Sequence, residues 1–361
     1  RYRIDGVLSE AGVPRTVSRF RNAIVSRIKI IADLDIAEKR LPQDGRIRAV
    51  VQNRYIDFRV SILPTASGEK AVIRILDNRS ILIGLERLGF GAKHFDAFKE
   101  QIHRPNGIIL VTGPTGSGKT TTLYSAIMTM DASTINISTV EDPVEYYLGF
   151  ANQVQVSERI GLSFSVALRA LLRQDPDVIM LGEIRDEETA RISVQAALTG
   201  HLVLSTLHTN DAPSSITRLI NIGIEPYLIS ASLNAVLAQR LVRRICTDCK
   251  EDYMPSDEVR QALAEQHIHI DKLYRGAGCD KCRNTGYSGR YGIYEMLFLD
   301  ETLRDLVATN PSLEKLRRHA RRAGMVSLRE DGFDKVREGV TTIEEVLRVT
   351  EDAPSEEIVD E

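Results

Sequence analysis

The sequence lacks any long apolar run. Its longest apolar stretches, such as 108–111 and 178–181, have the length of buried strands, far short of the roughly 18 residues that a membrane span needs. The chain opens on Arg-Tyr-Arg with no apolar segment behind it, so the sequence predicts no secretory signal peptide. It also lacks an initiator methionine, and we expect it to be a fragment whose natural N-terminus has been removed.

An excess of positive charge is missing as well. The 47 Lys and Arg residues are outnumbered by 50 Asp and Glu residues, for a net charge of −3. This balance argues against an electrostatic grip on nucleic acid by the whole protein, although local basic patches are compatible with it. With 43% apolar and 27% charged residues the composition is that of a globular protein, and 361 residues predict two or three domains.

The pattern of short apolar runs divides the chain into two parts. Residues 1–80 are predicted to form a small α+β domain, with 1–8 as one strand of a pair whose other strand is missing. From about residue 108, apolar strands alternate with helices of good helix formers. This pattern is typical of an α/β domain with a mostly parallel sheet, and we assign it to residues 81–350.

Four segments of the second half stand outside this alternation. Residues 235–244 fit an amphipathic helix whose arginines would face water. A cysteine-bearing region at 240–295 shows little helical periodicity, and helices return over 296–350. The tail 351–361 is acidic, and we expect it to be disordered.

A phosphate-binding motif follows the first strand of the second domain. Gly113-Pro-Thr-Gly-Ser-Gly-Lys-Thr120 fits GxxxxGK[ST] in full, directly after an apolar strand and directly before a helix. Its glycines let backbone N–H groups curl around phosphate oxygens at the positive end of the helix. Lys119 is predicted to reach the β- and γ-phosphates, and the Thr120 hydroxyl to ligate Mg²⁺. The predicted ATP site comprises Gly113, Pro114, Thr115, Gly116, Ser117, Gly118, Lys119 and Thr120.

Two acidic clusters follow later strands. Glu141 comes just after a β-branched strand at 135–140, and Glu183 follows the strand at 178–181. The carboxyl ends of parallel strands meet at one edge of the sheet, where ligands bind in such folds. Hydrolysis also needs a group that positions water. We therefore predict that Glu141 and Glu183 act on the bound nucleotide.

Neighbouring polar residues leave alternatives open. Asp142 fits an active-site acid and a solvated strand-end residue equally well. His208 lies in a polar segment after the strand at 201–207 and is the candidate sensor of the γ-phosphate. His201, at the start of that strand, is predicted to be structural.

The four cysteines fall as two CxxC pairs, Cys246/Cys249 and Cys279/Cys282. Each pair can place two thiolates on one knuckle, and two knuckles close a tetrahedral zinc site. A large chain without an export signal favours metal over a disulfide framework, with a redox CxxC or disulfides as alternatives. His267 and His269, between the pairs, are predicted to be surface residues. A closed site has no open coordination position, so we predict a structural zinc.

Taken together, the motifs resemble those of the secretion ATPases of type II secretion and type IV pilus assembly. The resemblance runs over essentially the whole chain. Beyond the phosphate-binding motif, it rests on Leu41-Pro-Gln-Asp-Gly-Arg46, Phe58-Arg-Val-Ser61, Thr139-Val-Glu-Asp-Pro-Val-Glu145, Leu172-Arg-Gln-Asp-Pro-Asp177, Gly182-Glu-Ile-Arg-Asp186 and Thr199-Gly-His-Leu-Val-Leu-Ser-Thr-Leu-His-Thr-Asn-Asp211.

The resemblance implies a motor and its parts. It implies a hexameric ring of RecA-like P-loop domains, each preceded by a small α+β domain, that works an inner-membrane platform protein from the cytoplasmic side. Glu183 resembles the family's catalytic glutamate and Glu141 an essential acid of its acidic box. Arg59 and Arg74 resemble arginines of the small domain that reach the phosphates. The family also carries further N-terminal sequence, which this chain lacks.

The sequence leaves other functions open. One is a RecA-like nucleic-acid motor, favoured by Arg240-Leu-Val-Arg-Arg244 but opposed by the negative net charge and the lack of an aromatic and basic stripe. Another is a scaffold gated by ATP without turnover. Pilus assembly and type II secretion share these motifs, with Asp57-Phe-Arg-Val-Ser61 and His208-Thr-Asn-Asp-Ala-Pro213 favouring pilus assembly slightly. For adenine contacts, Arg87 and Phe90 are the candidates.

Overall fold

The computed structural model describes residues 1–76, 83–264, 268, 270 and 272–350. The chain divides into two units, Arg1–Leu82 and Ile83–Glu361. Among the described residues, none of the helices combines the length and apolar character needed to cross a bilayer. The acidic tail 351–361, and with it the prediction of disorder, lies outside the described residues.

The first unit is an α+β module. Its strands are β1 (Tyr2–Ile4), β2 (Val7–Ser9), β3 (Gln43–Val51), β4 (Arg54–Thr65) and β5 (Gly68–Leu76). A 3-10 helix at Arg15–Phe20 leads into helix α1 (Arg21–Ile31), and β3, β4 and β5 form an antiparallel sheet. Its small core is formed by Ala32, Val60 and Ile62 with Val25 and Ile28 packed against them.

The prediction for residues 1–8 is wrong. This segment is no half of a broken pair, because β1 and β2 are antiparallel partners, with Tyr2 opposite Ser9 and Ile4 opposite Val7. Asp5 and Gly6 form the turn between them, both with positive φ. An Asp-Gly pair favours such two-residue hairpin turns, and this signal identifies the hairpin.

The second unit alternates strands and helices around one sheet. Its elements before the cysteine-bearing region are α2 (Ala92–Ile102), β6 (Gly107–Thr112), α3 (Lys119–Ile127), β7 (Ile137–Glu141), β8 (Asn152–Gln155), α4 (Phe164–Leu171), β9 (Val178–Leu181), α5 (Glu187–Leu198), β10 (Leu202–Leu207), α6 (Pro213–Ile222), α7 (Pro226–Ser232) and β11 (Leu233–Ile245). Short 3-10 helices lie at Leu85–Arg87 and Glu158–Ile160. The remaining elements are β12 (Lys250–Tyr253), α8 (Asp257–Ala264), β13 (Leu273–Gly276), β14 (Tyr287–Phe298), α9 (Glu301–Ala308), α10 (Leu313–Arg322), α11 (Leu328–Arg337) and α12 (Ile343–Thr350).

Over the described residues, seven strands form this sheet in the order β14-β11-β6-β10-β9-β7-β8. All neighbouring pairs are parallel except β11 and β14. Strands β6, β9 and β10 are buried along their whole length, and helix α5 packs on β6 and β10. The carboxyl ends of β6, β7, β9 and β10 therefore meet at one edge, called here the nucleotide edge. The mostly parallel sheet confirms the predicted α/β class.

The predicted helix at 235–244 is wrong. These residues belong to β11, which lies between β6 and β14. Its residues are buried on both faces, so the strand lacks the alternation of apolar and polar residues that marks a half-exposed strand. Arg240, predicted to face water, is 8% exposed.

The cysteine-bearing region is an excursion from the main sheet. Strands β11 and β14 pair antiparallel in that sheet. The residues between them carry a second antiparallel pair, β12 and β13, with helix α8 between its two strands in the chain. The sheet therefore includes both ends of the predicted 240–295 subdomain.

Candidate functional site

The phosphate-binding loop connects β6 to α3. Gly113, Gly116 and Gly118 all have positive φ, a backbone conformation that glycine adopts most readily. A Cβ atom on Gly113 would lie 2.5 Å from the backbone oxygen of Gln239. The loop can thus close only with glycine at this position. Helix α3 then begins at Lys119, so its unpaired N–H groups face the loop.

Strand β11 supports this loop through the side chain of Gln239. The Gln239 side chain donates to the Ser117 carbonyl at 2.6 Å and accepts from the Thr122 hydroxyl at 2.8 Å. The Ser117 hydroxyl is buried and has no hydrogen-bond partner within the described part of the chain. A buried donor without a partner is costly, and a phosphate oxygen would satisfy it. The loop therefore fits a nucleotide phosphate.

Lys119 folds back onto its own loop. Its Nζ donates to the carbonyl oxygens of Gly113 at 2.7 Å and Pro114 at 3.2 Å. Burial lowers the pKa of Lys119 to about 8, with a further lowering from Arg240 and an opposing effect of Glu183. A phosphate would stabilise the charged ammonium that burial disfavours. Thr120, the predicted magnesium ligand, follows it and is half-buried.

Glu183 lies at the carboxyl end of β9 in a cluster of polar side chains. One carboxylate oxygen accepts from Arg185, and the other lies 3.1 Å from His208 Nε2. Burial alone would raise the pKa of Glu183, but the hydrogen bonds from Arg185 and His208 outweigh it and lower the pKa. Asp142 lies 3.9 Å from Arg185 and belongs to the same cluster. A carboxylate that stays ionised suits the polarising of a water molecule.

Glu141 has different surroundings from Glu183. It is 3% exposed and accepts three hydrogen bonds, from Tyr124 at 2.5 Å, Thr139 at 2.7 Å and Gln153 at 3.0 Å. Burial raises the pKa of Tyr124, and the Glu141 carboxylate raises it further, so the phenol stays a donor. The carboxylate ties helix α3 to strands β7 and β8. Its direct catalytic role stays a prediction.

The cysteine sulfurs converge at the end of β11. All four lie within 4.8 Å of one another, with Cys246 3.9 Å from Cys279 and Cys249 3.8 Å from Cys282. Four sulfurs at about 2.3 Å from one zinc ion would be about 3.8 Å apart. The cysteines are unbridged, and backbone N–H groups of Gly278 and Gly286 point at their sulfurs. The cluster fits a tetrahedral zinc site. His267 and His269 lie outside the described residues.

The sequence matches one family model over nearly its whole length. The model, described as type II/IV secretion system protein, covers residues 1–348. The chain belongs to this family.

Relatives from both branches of the family are similar to this chain. The type II secretion system protein HxcR of Pseudomonas aeruginosa is 54% identical over 353 residues, which cover 98% of this chain and 71% of that protein. The type IV pilus assembly ATPase PilB of Myxococcus xanthus is 53% identical over 353 residues, covering 96% of this chain and 62% of that protein. These matches confirm the predicted identification as a secretion-type ATPase. The chain spans less than two thirds of the Myxococcus protein.

The fold also matches a solved secretion-family structure. The crystal structure of the pilus retraction motor PilT with bound ADP superimposes with a TM-score of 0.64 at 27% identity, covering 97% of this chain and 90% of that one. This match confirms the predicted P-loop architecture of the type II/IV secretion family.

Arg59 and Arg74 of this family member lie in the first unit. They are directly opposite each other on β4 and β5, and Arg46 on β3 is opposite Arg59. Residues opposite each other across strands share one face of the sheet. The first unit therefore presents a row of three guanidinium groups. Their role at the phosphates stays a prediction, as does that of Arg87 and Phe90 at the adenine. Phe90 itself packs against Tyr294 with ring centroids 4.2 Å apart.

Several residues at the nucleotide edge were missed by sequence reasoning. Arg185 could have been found, because it lies two residues after Glu183 in the same quoted motif. Gln239 and Arg240 could not, since the sequence pattern predicts a helix with a solvated face over 235–244. Arg240 donates to Asn210 O at 3.0 Å and to the Gln239 carbonyl at 3.1 Å, which joins β11 to the segment after β10.

Proposed function

We propose that the chain is the motor ATPase of a machine that assembles a type IV pilus or the related type II secretion pseudopilus. The observation that carries the proposal is the nucleotide edge. Lys119 of the phosphate-binding loop follows β6 and Glu183 follows β9, two parallel strands on either side of β10. The charge of Glu183 opposes the lowering of the Lys119 pKa that burial causes. Relatives named for pilus assembly and for type II secretion support both branches equally.

The residues at this edge have distinct proposed roles. Gly113 to Thr120 hold the ATP phosphates, with Lys119 on the β- and γ-phosphates. Glu183 orients and polarises the attacking water, Arg185 holds its carboxylate, and His208 senses the γ-phosphate. Thr120 would hold Mg²⁺, which would supply positive charge to offset that of the phosphates. Arg59 and Arg74 add guanidinium charge, the role implied by the family resemblance.

The proposal extends to assembly, location and metal. We propose a homohexameric ring at the cytoplasmic face of the inner membrane, where it acts on a platform protein of the pilus or secretion machine. Zn²⁺ in the cysteine cluster serves as a brace, because four protein ligands leave no open position for chemistry. No role in nucleic-acid binding is proposed.

The test is the ATPase activity of a Glu183→Gln variant. Loss of the general base predicts a fall in kcat by about 10²–10⁴-fold while ATP binding is retained. The matched control is Glu187→Gln, an exposed carboxylate paired with Arg191 at 3.0 Å, which should keep the wild-type kcat. Turnover that survives in Glu183→Gln would remove Glu183 from its proposed role.

Ring assembly needs its own measurement. Specific activity of the wild type should rise steeply with protein concentration and collapse in Arg59→Ala. Flat activity in both proteins would mean that each chain hydrolyses ATP alone, and the ring proposal would fail.

A further inference from the structure

Glu295 is a buried carboxylate that the proposed chemistry does not use. It lies on β14, is 5% exposed, and accepts the backbone N–H of Ala212 at 2.7 Å and that of Leu328 at 3.4 Å. Ala212 immediately precedes α6, and Leu328 is the first residue of α11. Helix starts carry unpaired N–H groups and partial positive charge, so one carboxylate serves two helices. It links them physically.

The segment in front of α6, residues 208–212, is held at every position after His208. Thr209 N donates to Thr112 Oγ1 at 2.8 Å, and Arg240 donates to Asn210 O at 3.0 Å. Arg317 of α10 donates to Asp211 Oδ2 at 2.5 Å, and Glu295 accepts from Ala212. We call this segment the sensor loop. Two of its four tethers come from the part of the chain after the cysteine cluster.

The sensor loop begins with His208, whose side chain contacts the proposed catalytic glutamate. His208 is half exposed, and its Nε2 lies 3.1 Å from Glu183. The distance between these groups is set by where the four tethers hold the loop. Because reactivity depends steeply on such distances, a shift of about 1 Å in the loop can change a rate by up to 10²-fold.

We propose that Glu295 is a positioning residue for ATP hydrolysis, which couples the sensor loop to the C-terminal helices α10 and α11. The inference rests on the proposed ATPase function. A change at the γ-phosphate that moves His208 also moves Ala212, whose N–H donates to Glu295. Because the Glu295 carboxylate also accepts from Leu328 N, the movement reaches the start of α11. Conversely, a force on α10 or α11 reaches the sensor loop through Arg317 and Glu295. The C-terminal helices are thereby a route between nucleotide state and movement.

The first experiment is steady-state ATPase kinetics of a Glu295→Gln variant of the full chain. The amide keeps the shape but turns one acceptor into a donor that faces a backbone N–H. We expect kcat to fall about tenfold or more, with KM for ATP within about threefold of the wild type because the phosphate-binding loop is untouched.

A matched control separates positioning from folding. Asp331 is a second buried carboxylate close by, on α11, which accepts Tyr294 N at 2.8 Å. Within the described ranges, its side chain makes no hydrogen bond to the sensor loop. Asp331→Asn should lower the melting temperature as Glu295→Gln does but leave kcat within about twofold of the wild type. If both variants lose kcat in proportion to their loss of stability, Glu295 is merely structural and the inference is overturned.

The second experiment follows amide hydrogen exchange and does not need turnover. In the wild type, added ATP should slow exchange at the start of α11, residues 327–331, as well as in the sensor loop. In Glu295→Gln the ATP effect should stay in the sensor loop and vanish at 327–331. An ATP effect on 327–331 that persists in the variant would also overturn the inference. If the wild type does not hydrolyse ATP, the proposed function is wrong. The exchange experiment would still test whether Glu295 couples the sensor loop to α11.

A third variant covers the case in which Glu295→Gln fails to fold. Arg317→Gln removes the other C-terminal tether through Asp211 and should lower kcat in the same direction, with KM nearly unchanged. Wild-type kcat in Arg317→Gln would count against the coupling.

Discussion

The nucleotide edge and the cysteine cluster both adjoin β11, but they differ in how their polar groups are paired. At the nucleotide edge, Lys119 rests on carbonyl oxygens of its own loop, and the buried Ser117 hydroxyl has no partner within the described residues. Glu183 is held by two half-exposed side chains. At the cysteine cluster, the four sulfurs face one another. One site has partners that can be exchanged, and the other is closed.

This difference separates a site for chemistry from a site for stability. Polar groups that can exchange partners allow a substrate to bind and leave. Without substrate, these groups have poor hydrogen-bond partners, and this costs stability. A closed set of four ligands stabilises the fold and admits no substrate. Glu141, with its three internal donors, resembles the closed site although it lies at the open edge.

The largest expected effect is loss of the metal. Cys279→Ser should bind far less than the one zinc per chain that we expect of the wild type, and its free energy of unfolding should fall by several kcal/mol, since zinc contributes on the order of 10 kcal/mol in small domains. Metal analysis and thermal unfolding measure both. Below its melting temperature the variant should still bind ATP, because the phosphate-binding loop has its own supports.

Two results would break the comparison at this point. Stoichiometric disulfides in freshly prepared wild-type protein would show that the cluster is not a metal site. ATP binding that disappears with the metal in a folded protein would show that the two sites are one unit.

The sequence predicted each site to the extent that its geometry is local. The cysteine cluster follows from two CxxC pairs, because a knuckle is formed by residues three apart. The phosphate-binding loop is likewise continuous, and Glu183 follows from the rule that parallel strands share a carboxyl edge.

What could not be predicted depends on contacts between distant residues. Glu295 receives its hydrogen bonds from residues 83 and 33 positions away, and no spacing rule connects them. Arg240 was misplaced because Ala, Leu, Gln and Arg are good helix formers, and burial of β11 on both faces removes the alternation that would have opposed a helix. The Asp5-Gly6 hairpin was a local signal that could have been used.

An intermediate effect is expected at Glu141. Replacing it with Gln puts a donor where a hydroxyl or amide group already donates, which should lower the free energy of unfolding by about 1–3 kcal/mol. Tyr124→Phe removes one of the donors and should destabilise in the same direction. Urea unfolding measures both. We expect kcat of Glu141→Gln to fall much less than that of Glu183→Gln.

The contrary result is specific. If Glu141→Gln abolishes turnover without loss of stability, while Tyr124→Phe leaves turnover intact, then Glu141 acts on the reaction directly. The role implied by the family resemblance would then hold.

The smallest effect concerns the pH dependence of stability. The sensor loop and the region of the cysteine cluster each have a buried carboxylate nearby, and the pKa values of these two carboxylates are shifted in opposite directions. Near the cysteine cluster, burial would raise the pKa of Glu345, but hydrogen bonds from Arg348 and Arg243 outweigh it and lower the pKa to about 2. Near the sensor loop, burial raises the pKa of Glu295 to about 7, and Asp211 adds to the rise. The N–H groups of Ala212 and Leu328 and the charge of Arg321 offset it only in part.

The signs of the two contributions to stability are opposite. Glu345 stabilises the fold above its ordinary pKa of 4.5, and this contribution is lost as the pH falls towards about 2. Glu295 binds its proton more tightly in the folded state, so stability falls as the pH rises from about 4.5 to about 7. Asp331, near Lys335, has its pKa raised by burial to about 6, and it contributes the same sign at lower pH.

Free energies of unfolding measured across pH in Glu295→Gln and Glu345→Gln should therefore distinguish the contribution of Glu295 from that of Glu345. A single proton gives a slope of at most about 1.4 kcal/mol per pH unit. Glu295→Gln should lose the decline between about pH 6 and pH 7, where Asp331 has already titrated, and keep the acid limb. Glu345→Gln should do the reverse. If stability still declines between about pH 6 and pH 7 in both variants, the group that titrates there is not Glu295. The stability of the region around the sensor loop would then depend on pH no more than that of the region around the cysteine cluster.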